Sequence, residues 1–287
     1  MINWPSSLVS DIARRRSVLV LGAGVSKNST NSAGSRPKDW KEFLLTSSEN
    51  LNGKSEILRQ IKSGDFLTAC ELIKKELGRE DFNTVIKKEF LNPRFNHAEI
   101  HQHLYNLDSR IVITPNFDKI YDTYANSTSQ GNIIIKTFTD DDLVDCIRRP
   151  EPLIIKIHGS VDSTDKLIFT RKDYSEARTK YRNFYQIIEA LSLTHTFIFI
   201  GCGTNDPDIR LLLEDFNFKY PINKQHYIVM PKNALNIKVK EIVQETMSLK
   251  ILEYDSSNHH KYLTESLAQL VTEVELKRQE IASLQSW

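Results

Sequence analysis

Cysteine is scarce in this sequence, and what there is does not pair. Cys70, Cys146 and Cys202 are the only three in 287 residues, they lie far apart, and no Cys-x-x-Cys occurs. An odd count without close pairs argues for free thiols, against a disulfide framework and against a structural zinc site. Charge of one sign is also lacking: 38 Lys and Arg stand against 37 Asp and Glu, a net charge of +1. That balance gives no support for binding nucleic acid by bulk charge, so direct nucleic-acid binding is not expected. Long hydrophobic runs are missing too. The longest, such as residues 196–200, fall far short of the roughly 20 residues a membrane-spanning helix needs. Residues 1–16 show no apolar core followed by a small-residue cleavage site, unlike a signal peptide. Together these absences predict a cytoplasmic protein with no membrane association and no bound metal.

What is present is ordinary for a globular chain: 40% hydrophobic and 26% charged residues, with enough length to bury a sizeable core. Short β-rich runs at 17–21, 110–114, 132–137, 153–157, 196–200, 225–230 and 248–254 alternate with helix-patterned segments. The alternation reads as βαβ units. The runs are mostly continuously apolar, as expected of parallel strands covered on both faces. This predicts an α/β fold, a Rossmann-like doubly wound parallel sheet with a helical insertion and a C-terminal helix. The insertion, about 37–105, carries helical spacing at 37–47, 55–62, 66–77 and 82–90. It is longer than a normal crossover needs, so it either covers a ligand cleft or is structural padding. From Leu263, apolar residues recur at Leu267, Leu270, Val274, Ile281 and Leu284, an amphipathic helix within 256–287. Packing on its own domain is the simpler reading of that stripe; self-association or partner docking is the sharper one.

Four loops carry candidate chemistry, each directly after a predicted strand. Gly22-Ala23-Gly24-Val25-Ser26 is a turn into a helix that can present backbone N–H groups to a phosphate. Position 27 is Lys, so the dehydrogenase fingerprint Gly-x-Gly-x-x-Gly is not completed. Thr114-Pro115-Asn116-Phe117-Asp118 lies at a strand end, where ligands of open sheets gather, although Asp118 also suits a helix N-cap and Asn116 a turn. His158-Gly159 offers a base that titrates near neutrality, or a structural histidine. Gly201-Cys202-Gly203-Thr204-Asn205-Asp206-Pro207 suits close approach and ribose hydroxyls, or is a capped helix start. Singly, each loop is ambiguous.

In combination, the order Gly-Ala-Gly-x-Ser, Asn-x-Asp, His-Gly and Gly-x-Gly-x-x-Asp-Pro over residues 17–255 resembles the sirtuin-like superfamily. The Asp-Pro form of the last loop, and Ile168-Phe169-Thr170-Arg171-Lys172-Asp173-Tyr174, are similar to its prokaryotic branch of antiphage-defence NAD hydrolases. Residues 1–255 then form the NAD-binding catalytic domain. There are departures. The two zinc-binding Cys-x-x-Cys pairs of deacylases are missing, no Phe-Arg pair follows Gly34-Ser35-Arg36-Pro37, Pro115 stands where deacylases have Gln, and Cys202 stands where Ser or Thr is common.

The resemblance implies that Asn116 holds the ribose hydroxyls and a water, that His158 is the general base, and that Asp118 binds the nicotinamide carboxamide. It implies NAD contacts from Gly22, Ala23, Gly24, Val25 and Ser26 at the diphosphate, from Thr114 and Phe117, and from Gly201, Cys202, Gly203, Asn205 and Asp206 on the adenosine side. The strand ending at Tyr254 would close the adenine pocket. The implied activity is NAD+ hydrolysis to nicotinamide and ADP-ribose, depleting NAD in abortive infection. A deacylase, an ADP-ribosyltransferase and a non-catalytic NAD or ADP-ribose sensor are the alternatives. Silence in healthy cells implies control by a homo-oligomer or by a separate protein such as a HerA-type ATPase or short Argonaute, since little chain follows residue 255 to form a sensor.

Overall fold

The computed structural model describes residues 1–203, 210, 213–214, 217–220 and 224–284. Strands β1 (Ser17–Leu21), β2 (Ile111–Thr114), β3 (Ile134–Thr137), β4 (Leu153–Lys156), β5 (Thr196–Ile200), β6 (His226–Pro231) and β7 (Leu249–Tyr254) form one sheet. Its order is β3-β4-β2-β1-β5-β6-β7, and every pairing is parallel. All seven predicted strands are present, with ends shifted by at most two residues. Continuous apolar runs made them readable: β1, β2, β4 and β5 are buried at every position, because helices cover both faces of a parallel sheet.

Alternate residues of the strands feed two separate cores. Leu19, Leu21, Ile154 and Ile198 join α1 (Ser6–Ala13), α6 (Glu99–Asn106) and α7 (Ile120–Thr128) on one face. Val18, Val20, Ile155 and Phe197 join α8 (Leu143–Arg148), α9 (Arg171–Lys180), α10 (Arg182–Thr194) and α11 (Ile237–Met247) on the other. The side-chain period of two produces this division. The chain passes from β1 to β2 on one side and later returns to β5 on the other, so the sheet's switch point lies between β1 and β5, where open α/β sheets bind ligands.

The insertion folds as predicted into α3 (Trp40–Ser47), α4 (Lys54–Ser63) and α5 (Phe66–Phe90), after a short α2 (Ala23–Ser26). An Asp39–Glu42 capping box starts α3, and Asp65 caps α5 by accepting from the Thr68 N–H, as such residues do at helix starts. Gly78, at φ 76°, kinks α5, which is why its sequence reads as two helical segments. These helices build a third core from Phe43, Ile57, Ile73, Phe82 and Ile86 that continues into Phe117 and Phe169. The insertion therefore sits on the loops after β2 and β4. Helix α6, inside the 37–105 stretch, packs in the main body instead.

Helix α12 (Ser257–Ser283) lies against α1 and α6. Leu263, Leu267, Leu270, Val274 and Ile281 are buried, and the Ile2 N–H and Trp4 indole N–H donate to Ser266 at 3.0 and 2.9 Å. Each such side chain contributes about 1.5–3 kcal/mol on burial. The apolar stripe faces its own domain, as the simpler reading has it. Leu284 departs from the stripe and is 66% exposed. Among the described residues, no helix is long and apolar enough to cross a membrane.

Candidate active site

The loops after β1, β2, β4 and β5 open at the same edge of the sheet and line one cavity of about 530 Å³, a size typical of small-molecule sites. Gly22, Ala23, Ser26, Asn116, Phe117, Asp118, His158, Gly201, Cys202 and Gly203 all reach it. Gly24, Val25 and Thr114 do not. Val25 is buried in the main core, Gly24 packs against Gly201, and Thr114 donates to the Leu21 carbonyl at 2.7 Å while its hydroxyl accepts from the Asn116 N–H at 3.0 Å. These three shape the loops from behind. Asn205 and Asp206 lie outside the described residues. Tyr254 is buried in the main core at the end of β7 and is absent from the cavity's lining.

The glycines of the first turn serve a neighbour before they serve a ligand. A Cβ on Gly22 would stand 2.4 Å from the Gly201 carbonyl oxygen, and one on Gly201, at φ +66°, would stand 2.6 Å from the Val25 nitrogen. Both contacts are with backbone, which cannot swing aside. The Gly22 and Gly24 N–H groups already donate to Ile200 and Gly201 at 3.0 and 2.9 Å, and the Val25 N–H to Gly22 at 3.0 Å. A row of open N–H donors, expected from the sequence, is therefore mostly engaged.

The second loop is held by polar side chains. Ser26 donates to Asp118 Oδ2 at 2.8 Å and accepts from Asn116 Nδ2 at 3.1 Å, so one hydroxyl joins the turn to both polar residues. Asp118 Oδ1 also accepts from the Ile120 N–H at 3.0 Å. Asp118 thus closes a local turn just before α7, whose N-cap is Lys119 without a side-chain cap bond, and also borders the cavity; the helix-cap reading of Asp118 is not realised. Beneath this loop, Lys156 donates at 2.6 Å to the Asp118 carbonyl and at 2.6 Å to Asp122 Oδ2. Burial raises the Asp122 carboxyl above its ordinary range, while Lys156 pulls the other way. The short 2.6 Å contact favours an ionised pair.

His158 follows β4 and is 3% exposed. Its Nδ1 lies 3.5 Å from the Tyr174 hydroxyl, and the two rings meet edge to face at 5.1 Å. Tyr174 comes from α9, whose capping box at Thr170 and Asp173 fixes where the helix begins. The insertion supplies the apolar wall. Trp40, Phe66 and Phe90 line the cavity with Phe169, and Trp40 stacks on Phe169 at 5.9 Å. The sequence did not assign Trp40, Phe66, Phe90, Phe169 or Tyr174 to the site; the aromatics of the insertion were the available signal for the first three, and the Ile168–Tyr174 motif for Phe169 and Tyr174. Lys38 is the one Lys or Arg among the described lining residues, and it pairs with Glu89 at 2.8 Å. Chemically, the cleft combines a buried imidazole, a carboxamide and a carboxylate with an aromatic stacking surface.

The family model of the SIR2-like domain matches residues 110–252, which span the second, third and fourth loops; the Gly22 turn completes the cleft from outside that segment. The chain is 24% identical over 197 residues to NAD(+) hydrolase ThsA of Enterococcus faecium, an alignment covering 67% of this chain and 40% of that protein. It is 23% identical over 227 residues to NAD(+) hydrolase ThsA of Acinetobacter baumannii, covering 78% and 44%. With Defense-associated sirtuin 2 of Bacillus subtilis it shares 24% identity over 199 residues, 68% of this chain and 19% of that protein. The matched part is under half the length of each of these relatives. The order of the loops, their convergence on one cleft and the match over residues 110–252 show that this chain carries a SIR2-like domain.

Proposed function

We propose that this chain cleaves the nicotinamide–ribose bond of NAD+ with water as acceptor, releasing nicotinamide and ADP-ribose. The observation that carries the reading is that Asn116 and His158 border the same cavity as the Gly22 turn and the Gly201 loop. Relatives named NAD(+) hydrolase and Defense-associated sirtuin support NAD hydrolysis in defence, and within this reading that defence is antiphage and acts by NAD depletion. Nicotinamide leaves as a neutral molecule, so the site need not protonate it. It must stabilise positive charge developing on the ribose and deliver a water, as in glycoside hydrolysis.

In this mechanism Asn116 orients the ribose hydroxyls and the water. The C1′–N bond breaks, the water oxygen bonds to C1′, and His158 takes the water's proton. Asp118 accepts a hydrogen bond from the nicotinamide carboxamide. Gly22, Ala23 and Ser26, the residues of the 22–26 turn that reach the cavity, face the diphosphate, and Gly201, Cys202 and Gly203 the adenosine side. Water is favoured over a lysine side chain as acceptor because the Cys-x-x-Cys pairs of deacylases are absent. Control by a second copy or a partner protein accompanies this reading, because unchecked NAD loss would harm the cell.

The test is nicotinamide release from NAD+ by the purified chain beside its Asn116→Ala and His158→Ala variants. Equimolar nicotinamide and ADP-ribose are expected, with each variant slower by about 100-fold or more, the scale of a lost general base. NAD+ that binds in a calorimeter yet stays intact would make the protein a binding module. A 2′-O-acyl-ADP-ribose product with an acetyl-lysine peptide would make it a deacylase.

A further inference from the structure

Lys156 is the exception in its strand. Leu153, Ile154 and Ile155 before it and Ile157 after it are apolar and buried, and Lys156 itself is 1% exposed. Taking an ammonium group out of water is unfavourable unless its donors are met and a counter-charge is close. Both conditions hold. Asp122, 4% exposed, supplies the charge from α7, and the Asp118 carbonyl takes a second N–H. An apolar residue would fill β4 with no such requirement, so the strand's own stability gives no reason for a lysine there.

The position of the ammonium gives one. The segment between β2 and α7 has no regular structure, and it carries both Asn116 and Asp118. Its backbone is tied to the segment that carries His158 at two carbonyls: Val161 N–H donates to the Phe117 carbonyl at 3.0 Å, and Lys156 Nζ donates to the Asp118 carbonyl at 2.6 Å. The Lys119–Asp162 ion pair at 2.9 Å adds an exposed link. Lys156 is also two residues from His158 along the chain. The same ammonium therefore sets the height of the Asn116 loop and belongs to the strand that aims His158.

We infer that the buried Lys156–Asp122 pair is a positioning device that locks the Asn116 loop to the His158 strand, acting through the Asp118 carbonyl and touching no substrate. The inference rests on the reading of this cleft as an NAD+-cleaving site. Asp122 holds Lys156, Lys156 holds the Asp118 backbone, Asp118 holds Ser26 at 2.8 Å, and Ser26 accepts from Asn116 at 3.1 Å. Mispositioned groups lower turnover far more than affinity.

The test replaces both partners, Lys156→Met with Asp122→Leu, because exchanging a buried pair for apolar residues of similar volume often leaves folding intact. The full chain is followed by thermal melting, by NAD+ kinetics and by amide hydrogen exchange. The expected result is a near-wild-type melting temperature, KM within about threefold, kcat down by about 10–100-fold, and exchange at Asn116–Ile120 faster by about tenfold or more while the β1 and β5 amides are unchanged. Asp122→Glu, which keeps the pair, should recover most of kcat. If the double variant does not fold, Lys156→Gln with Asp122→Asn removes both charges with little change in volume and takes its place. Wild-type kcat, or unchanged exchange at Asn116–Ile120, overturns the positioning role. Failure of the wild-type chain to release nicotinamide overturns the reading of the site instead, and the exchange measurement still decides whether the pair holds the loop.

Discussion

On one side of the cleft, the loops after β1 and β5 meet backbone against backbone, with Gly22 and Gly24 pressed on Gly201. On the other, the loops after β2 and β4 meet through side chains, with Lys156, Asp122, Asp118, Ser26 and Asn116 forming one hydrogen-bonded series. The first half is specified by volume, since any side chain at its contact displaces the backbone. The second is specified by donors and acceptors, so a substituent of the right polarity can be tolerated there. The halves should therefore fail in different ways.

The largest expected effect of a single residue is in the glycine half. Gly201→Ala places a Cβ at 2.6 Å from the Val25 nitrogen in a φ +66° backbone. The left-handed conformation and the overlap together should cost about 3 kcal/mol or more. Thermal melting would show a fall of roughly 6–12 °C on that scale. Melting within about 1 °C of wild type would break the comparison, because the contact would then tolerate a side chain.

Acid should weaken the floor beneath both halves alike. His226 Nδ1 accepts the Phe197 N–H of β5 at 3.1 Å, under the glycine half. His101 Nδ1 accepts the Ala98 N–H at 3.0 Å, and its ring stacks obliquely near Tyr121 of α7 at 6.5 Å, under the polar half. Burial pushes both imidazoles down from 6.5 to about 4. A lowered folded pKa means that the unfolded chain binds the proton first. Stability is then full above pH 6.5 and is lost as the pH falls toward about 4. Each residue should remove about 2 kcal/mol by pH 5. Denaturant titrations across that window check this, and a flat stability profile between pH 6.5 and 4.5 would contradict it.

The smallest of the three effects is Ser26→Ala in the polar half. It removes the donor to Asp118 and the acceptor for Asn116 Nδ2 without a steric clash. The expected loss is about 1–2 kcal/mol, with NAD+ turnover falling by a larger factor than stability implies. Equal turnover in Ser26→Ala and wild type would show that the hydroxyl does not hold Asn116, and would weaken the contrast between the halves.

Much of the fold was legible because its signals are local. Two-face burial writes continuous apolar strands, and Asp39, Asp65 and Thr170 mark helix starts through backbone N–H groups a few residues away. The four loops were legible as strand-end motifs. Which of their residues face the cavity was not. Gly22, Ala23 and Ser26 reach it while Gly24 and Val25 point elsewhere, since a single helical turn sends neighbouring residues in different directions. Trp40, Phe66 and Phe169 are equally good core residues by sequence, and only their meeting beside Asn116 and His158 makes them a cavity wall.

The sequence by itself determined the seven-strand α/β body, the inserted helices, an amphipathic C-terminal helix and the four loops that chemistry requires, while the burial of that helix's stripe on its own domain was decided by the structure. Only the tertiary structure decided that the first turn's glycines pack against Gly201, that one serine joins Asn116 to Asp118, and that Lys156 is buried with Asp122. The physical reason is separation along the chain. Ser26 and Asn116 are 90 residues apart and Lys156 and Asp122 are 34, so their energies depend on contacts that exist only once the sheet has brought its strand ends together.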